Sequence, residues 1–212
     1  MVRGVTLIAV GVAAGGLLVG CGQKSDSNPQ PPPSSSGTPS STASGSGSAT
    51  PSATGSPFAL PESCADILTL DELDTAAGKP LPGQTLYIKG QAEPKIKRTG
   101  RVTCRYGVRK IGARTAIPLE IGVSAYSDAT SATDRIEFTI NSQRNQGAQA
   151  TEFDAGEGVK GTVLITGDNS TAVFAKGTAT VAISLTKDSG LTGDKAKDVL
   201  AKFATAVAAH LP

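Results

Sequence analysis

Residues 101–126 read RVTCRYGVRKIGARTAIPLEIGVSAY. In the first half, Val102, Cys104, Tyr106 and Val108 alternate with Arg101, Thr103, Arg105 and Arg109. Successive side chains of a strand point to opposite faces, so this is a half-buried strand with a basic outer face. Gly112-Ala113 turns the chain. Arg114 to Tyr126 then alternates again, with Ile117, Leu119, Ile121, Val123 and Ala125 inward. Pro118 has no N–H to give a ladder, which predicts an edge strand or an irregularity at that point.

Working outward toward the C-terminus, residues 131–146 satisfy two periods. Ala132, Ile136, Ile140 and Gln143 follow a helical stripe, while Ile136, Phe138 and Ile140 also alternate. The length of the segment, without a turn signal before Gly147, selects helix. Gly161 to Lys187 reads as a meander, turning at Gly167-Asp168-Asn169 and at Lys176-Gly177. Its last strand places Ala179, Val181, Ile183 and Leu185 inward. A final helix carries Ala196, Val199, Leu200, Phe203, Val207 and Leu211 on one stripe, with Thr192 or Asp194 as its cap. Toward the N-terminus, Gln84 to Glu93 is a weak strand. Before it, a short helix opens at Pro61-Glu62-Ser63 and restarts at Thr69, with Glu72 three residues on as a capping box requires. Gly78 and Pro80 end it. The sum is an α+β fold: a single antiparallel sheet of about five or six strands with helices packed on one face.

The globular domain so defined is 57–212. What precedes it is different. Residues 22–56 are almost entirely Ser, Gly, Pro, Thr and Ala, with no apolar period, and read as a disordered linker with a reach of about 30–35 Å. Residues 1–20 open with a short positive start, Met1-Val2-Arg3, and continue as a Gly- and Ala-rich apolar run that is too short for a membrane span. Leu18-Val19-Gly20-Cys21 closes that run. With 1–20 removed, 19 Lys and Arg face 18 Asp and Glu, so bulk charge implies no nucleic-acid partner. Of the three cysteines, Cys64 and Cys104 are an even pair in an exported domain. They read as one disulfide, with two buried free thiols as the other reading.

Leu18-Val19-Gly20-Cys21 resembles a bacterial lipobox, which implies a diacylglyceryl thioether on Cys21 and cleavage before it. Several acyl chains make a lasting anchor where one is marginal. Beyond it, Pro61-Glu62-Ser63-Cys64, Leu68 to Leu73, Ala77-Gly78 and Thr103-Cys104-Arg105-Tyr106 resemble a family of uncharacterised actinobacterial cell-envelope lipoproteins. Members carry a lipobox, a Ser/Pro/Gly-rich linker and a first Cys before a Leu-rich helix ending in Gly. A second Cys is followed two residues on by an aromatic, often Trp and here Tyr106. The resemblance implies a Cys64–Cys104 bridge between the first helix and the sheet. It implies no activity.

The catalytic signals are thin. Gly156 to Gly161 spells G-x-G-x-x-G, but it precedes a strand, where a dinucleotide loop must open a helix. Ser184-Leu185-Thr186-Lys187 spells S-x-x-K on a predicted strand, where an odd offset sends the two side chains to opposite faces. His210 is the only histidine, so neither a triad nor a transition-metal cluster assembles around it. Lys89 to Arg114 is the distinctive stretch, with nine Lys and Arg against Glu93 alone. Arg101, Arg105 and Arg109 fall on one face and form a candidate anion-binding surface. The competing reading is a solvated sheet face balanced in space by Asp154, Glu157 and Asp188.

The expectation is therefore a non-catalytic binding or accessory domain, anchored by lipid on the extracytoplasmic face of the cell membrane. Its partner is an envelope component, anionic if the basic strand makes the contact. No cofactor, metal or nucleic acid is expected. The alternative is a carrier of a lipid or small apolar ligand held between sheet and helices.

Overall fold

Two antiparallel meanders share one sheet in the computed structural model, which describes residues 58–167 and 169–212. The expected signal segment 1–20, the lipidation site Cys21 and the linker 21–56 lie outside the described residues. The first meander is β1 (Gln84–Gly90), β2 (Arg98–Ile111), β3 (Arg114–Ala116) and β4 (Leu119–Tyr126). The second is β5 (Gln149–Asp154), β6 (Lys160–Thr166), β7 (Asn169–Lys176) and β8 (Ala179–Leu185). Spatial order is β1-β2-β4-β8-β7-β6-β5, with β3 paired to the end of β2. The seam is the antiparallel pair β4–β8.

The sheet thus has eight strands rather than five or six. One extra strand comes from Pro118, which interrupts the 114–126 run and separates β3 from β4. The interruption is an irregularity and not a sheet edge, since β4 lies between β2 and β8. The other is β5, an edge strand whose mostly exposed polar side chains gave no apolar alternation to read.

Helices lie on both faces, which corrects the expectation of one. On the first face Cys104, Tyr106, Ile121, Phe174 and Ile183 pack in one core with α1 (Leu70–Ala77) and α3 (Gly193–His210). On the second, Leu164 and Val173 pack with Ala148 and with Ile136 and Ile140 of α2 (Ala129–Asn145). Topology explains this. The chain leaves β4 mid-sheet and must reach β5 at the far edge, and α3 already occupies the first face. A crossover over the second face needs apolar residues beneath it, which Leu164, Val173 and Ala182 supply.

The helix termini carry their own signals. Thr69 and Glu72 form the reciprocal capping box at α1, and Gly78 closes that helix at φ 68°. Asp128, rather than Ser131, caps α2, its carboxylate accepting from the Ser131 N–H at 2.7 Å. The helix expected from Pro61 is a single turn, closed by Leu68 N–H to Cys64 C=O at 3.0 Å.

Cys64 and Cys104 are bridged, with Sγ atoms 2.07 Å apart, joining that turn to β2. The hydroxyl of Tyr106 donates beside the bridge to the carbonyls of Cys64, at 2.9 Å, and Leu68, at 3.3 Å. Tyr87 repeats the device from β1, donating to Pro61 C=O at 2.7 Å.

Candidate functional site

Ladder register assembles a polar row on the second face of the sheet. Arg101 on β2 pairs with Ser124 on β4, which pairs with Thr180 on β8. Next to this row stands Gly122, and the guanidinium of Arg101 lies across it: a Cβ at Gly122 would sit 3.0 Å from an Arg101 terminal nitrogen. The missing side chain is what lets Arg101 lie flat along the sheet, under the margin of α2.

Arg98 joins it through a bulge. By alternation alone, residues three apart face opposite ways. The register of β2 shifts between Arg98, opposite Tyr126, and Gly100, opposite Ala125. The extra residue restores Arg98 to the face of Arg101. From above, α2 contributes Arg135, whose guanidinium is stacked 5.1 Å from the Phe138 ring. Arg98, Arg101 and Arg135 line one cavity of about 170 Å³ between sheet and helix, together with Ser124, Thr139 and Thr180.

The electrostatics of this cavity are unbalanced. Arg98 reaches Glu93 through one terminal nitrogen at 2.8 Å. Its Nε–H, and that of Arg101, are buried without a hydrogen-bond partner. A buried donor left unpaired costs about 1–3 kcal/mol, and more when charged. Other basic groups escape this by losing the proton, but a guanidinium cannot. Ser124 and Thr180 are buried hydroxyl residues on the floor. Thr139 has spent its hydroxyl proton on Arg135 C=O at 2.9 Å. The cavity therefore presents N–H and O–H donors and positive charge, with Glu93 as the one carboxylate paired to its arginines among the described residues.

The three arginines singled out in the sequence have different surroundings. Arg101 enters the cavity. Arg105 is neutralised by Glu120, Nε to Oε2 at 2.7 Å. Arg109 turns its guanidinium to the carbonyls of Gly107, at 3.2 Å, and Asp188, at 3.3 Å. Asp188 pairs with Arg114 at 2.7 Å, as the balanced-surface reading expected. Asp154 and Glu157 instead pair with Lys160 and Lys176. Sequence reasoning missed Arg98, because the bulge is invisible to alternation. It also missed Arg135, although Arg135 lies three residues after Ala132 and beside Ile136, at the margin of the helix's inner stripe.

Elsewhere the chemistry is quieter. Ser184 shares a hydrogen bond with Thr171 at 3.1 Å on the second face. His210 ends α3 and pairs with Glu72 of α1 at 2.9 Å. Glu72 is held down to about pKa 2 by the hydroxyl and N–H of Thr69 and then by His210. The layer between the sheet and α3, where a carrier would hold its cargo, is filled by Phe174, Ile183, Leu200 and Phe203. A groove of about 580 Å³ lies between α1 and α3 and is lined by Asp71, Glu72, Thr75, Ala76, Lys202, Thr205 and Ala206. Among the described residues, no three His, Cys, Asp or Glu side chains gather as a metal site needs, and no helix is long and apolar enough to cross a membrane.

These features define a class: a disulfide-bridged α+β domain with a polycationic cavity under one helix. No protein-family model matches the chain, and no curated protein matches it. Among solved structures it is similar to the extracellular domain of PknH from Mycobacterium tuberculosis. The identity is 11% and the TM-score 0.47, over 72% of this chain and 98% of that one. A likeness that distant carries no function across.

Proposed function

We propose that this chain is a lipoprotein held by Cys21 on the extracytoplasmic face of a bacterial cell membrane, where its domain binds an anionic envelope component and performs no catalysis. The observation that carries this reading is the Cys64–Cys104 bridge, downstream of a lipobox-like Leu18-Val19-Gly20-Cys21. Such bridges persist outside the reducing cytosol. The linker 22–56 supports it, being a spacer between lipid and domain. For the anionic partner, the support is the uncompensated charge of Arg98 and Arg101. Arg105 and Arg109 make their contacts within the domain, so the contact narrows to the cavity. Growth on labelled palmitate tests the anchor. The parent chain takes up label and Cys21→Ala takes up none; equal labelling of the two defeats the anchor.

A further inference from the structure

We infer that the cavity beneath α2 is a binding site for a phosphate group, held by Arg98 and Arg101 from the sheet and by Arg135 from the helix. This rests on the reading that the domain binds an anion, and adds which anion and where. Two buried guanidinium donors without a partner call for an acceptor, and the cavity that both arginines line, about 170 Å³, has room for one. One water occupies about 30 Å³ of liquid, so the space suits a tetrahedral oxyanion with accompanying water better than a lone water.

The direction of the donors selects the geometry. A carboxylate is planar and pairs in its own plane with one guanidinium fork, so donors above and below that plane suit it poorly. Here three arginines line one cavity from two layers, with Ser124 and Thr180 on the floor. Neither hydroxyl has a partner among the described residues. Donors above and below match an acceptor with oxygens in four directions. Glu93 offsets only part of the charge, leaving the excess a dianion would neutralise.

The source of the phosphate is legible at the rim. Arg135 also lines a shallower groove of about 440 Å³ with Ile96, Lys97 and Phe138, and Phe138 is 61% exposed. A phosphate ester would place its organic part there, whereas free phosphate would leave the groove empty.

The experiment is a titration of the full chain, made as Cys21→Ser so that it carries no lipid, at constant ionic strength. Inorganic phosphate, phenyl phosphate, sulfate, acetate and chloride are compared by thermal unfolding and by the side-chain Nε–H NMR signals of Arg98 and Arg101. Phosphate at about one hundred times its Kd should raise Tm by about 5–10 °C and shift both signals, and chloride should do neither. Arg101→Gln and Arg135→Gln should each weaken phosphate binding about tenfold or more. Should Arg101→Gln fail to fold, Arg135→Gln on the half-buried helix and the NMR signals of the parent still decide. Equal affinity for the two phosphates assigns free phosphate, and tighter phenyl phosphate assigns an ester lying on Phe138. If acetate binds as well as phosphate, this inference falls while the anionic reading stands. If no anion differs from chloride, both fall, and the Cys21 anchor is untouched by either result.

Discussion

Tyr106 fastens the entry of the chain to the sheet. It is 1% exposed, and its one hydroxyl proton serves two carbonyls in the segment that leads into α1. Burial pushes its pKa up, with the charge of Glu72 adding to the effect, so it stays a donor into alkaline solution. Tyr106→Phe keeps the ring, takes from Leu68 C=O its hydroxyl donor, and leaves Cys64 C=O with only the turn's N–H groups. A loss of about 1–2 kcal/mol is expected, read as a lower urea midpoint at unchanged slope. Glu72 gives a second test with a definite sign. Its carboxylate is held at about pKa 2 when folded, against an ordinary value of 4.5, chiefly by Thr69. The folded state therefore binds this proton less tightly than the unfolded state. The stability Glu72 contributes is complete above pH 4.5 and is lost as pH falls toward 2. Glu72→Gln should flatten the decline of Tm between pH 5 and pH 2; a profile parallel to that of the parent would assign the decline to other carboxylates.

At the scale of elements, the two long helices differ in how firmly they are seated. α3 buries Ala196, Val199, Leu200, Phe203, Ala204, Val207 and Ala208, whereas α2 buries only Ala132. Local opening is easiest where few apolar contacts are lost. Hydrogen exchange should therefore be faster across 129–145 than across 193–210, and α2 is the element that can lift from the cavity. Equal protection of the two helices would count against that ranking. The same contrast explains what could be read from sequence. The stripe of α3 and the inward set of β8 were legible because one face is wholly apolar and nearly every inward residue is fully buried. The helix at 131–146 was legible by length, but not the face it covers, since Ile136 and Ile140 do not say against what they pack. Leu164, Val173 and Ala182 held that information as apolar residues on the outward side of their strands. β5 had no apolar alternation to show, and Arg98 reached the cavity only through a bulge.

For the whole molecule, the staple matters more than its single bond suggests. The segment carrying Cys64 has one helical turn and little secondary structure before α1, yet Ile67 and Leu68 are at most 1% exposed in the main core. The bridge closes a separation of 40 residues onto β2, for which the chain-entropy account gives about 4 kcal/mol through restriction of the unfolded chain. Half of this was legible: two cysteines in a domain read as exported suggested a pair, but nothing in the spacing said that Tyr106 would tie the same turn a second time. Cys64→Ala/Cys104→Ala should therefore lower stability by about 2–5 kcal/mol. Its unfolded chain expands, so the urea slope should rise as the midpoint falls. Tyr106→Phe in that background should cost more than in the parent, because each tie holds the same turn in place when the other is lost. A strictly additive pair would mean that the turn is held by its apolar side chains alone, and that the bridge acts only on the unfolded state.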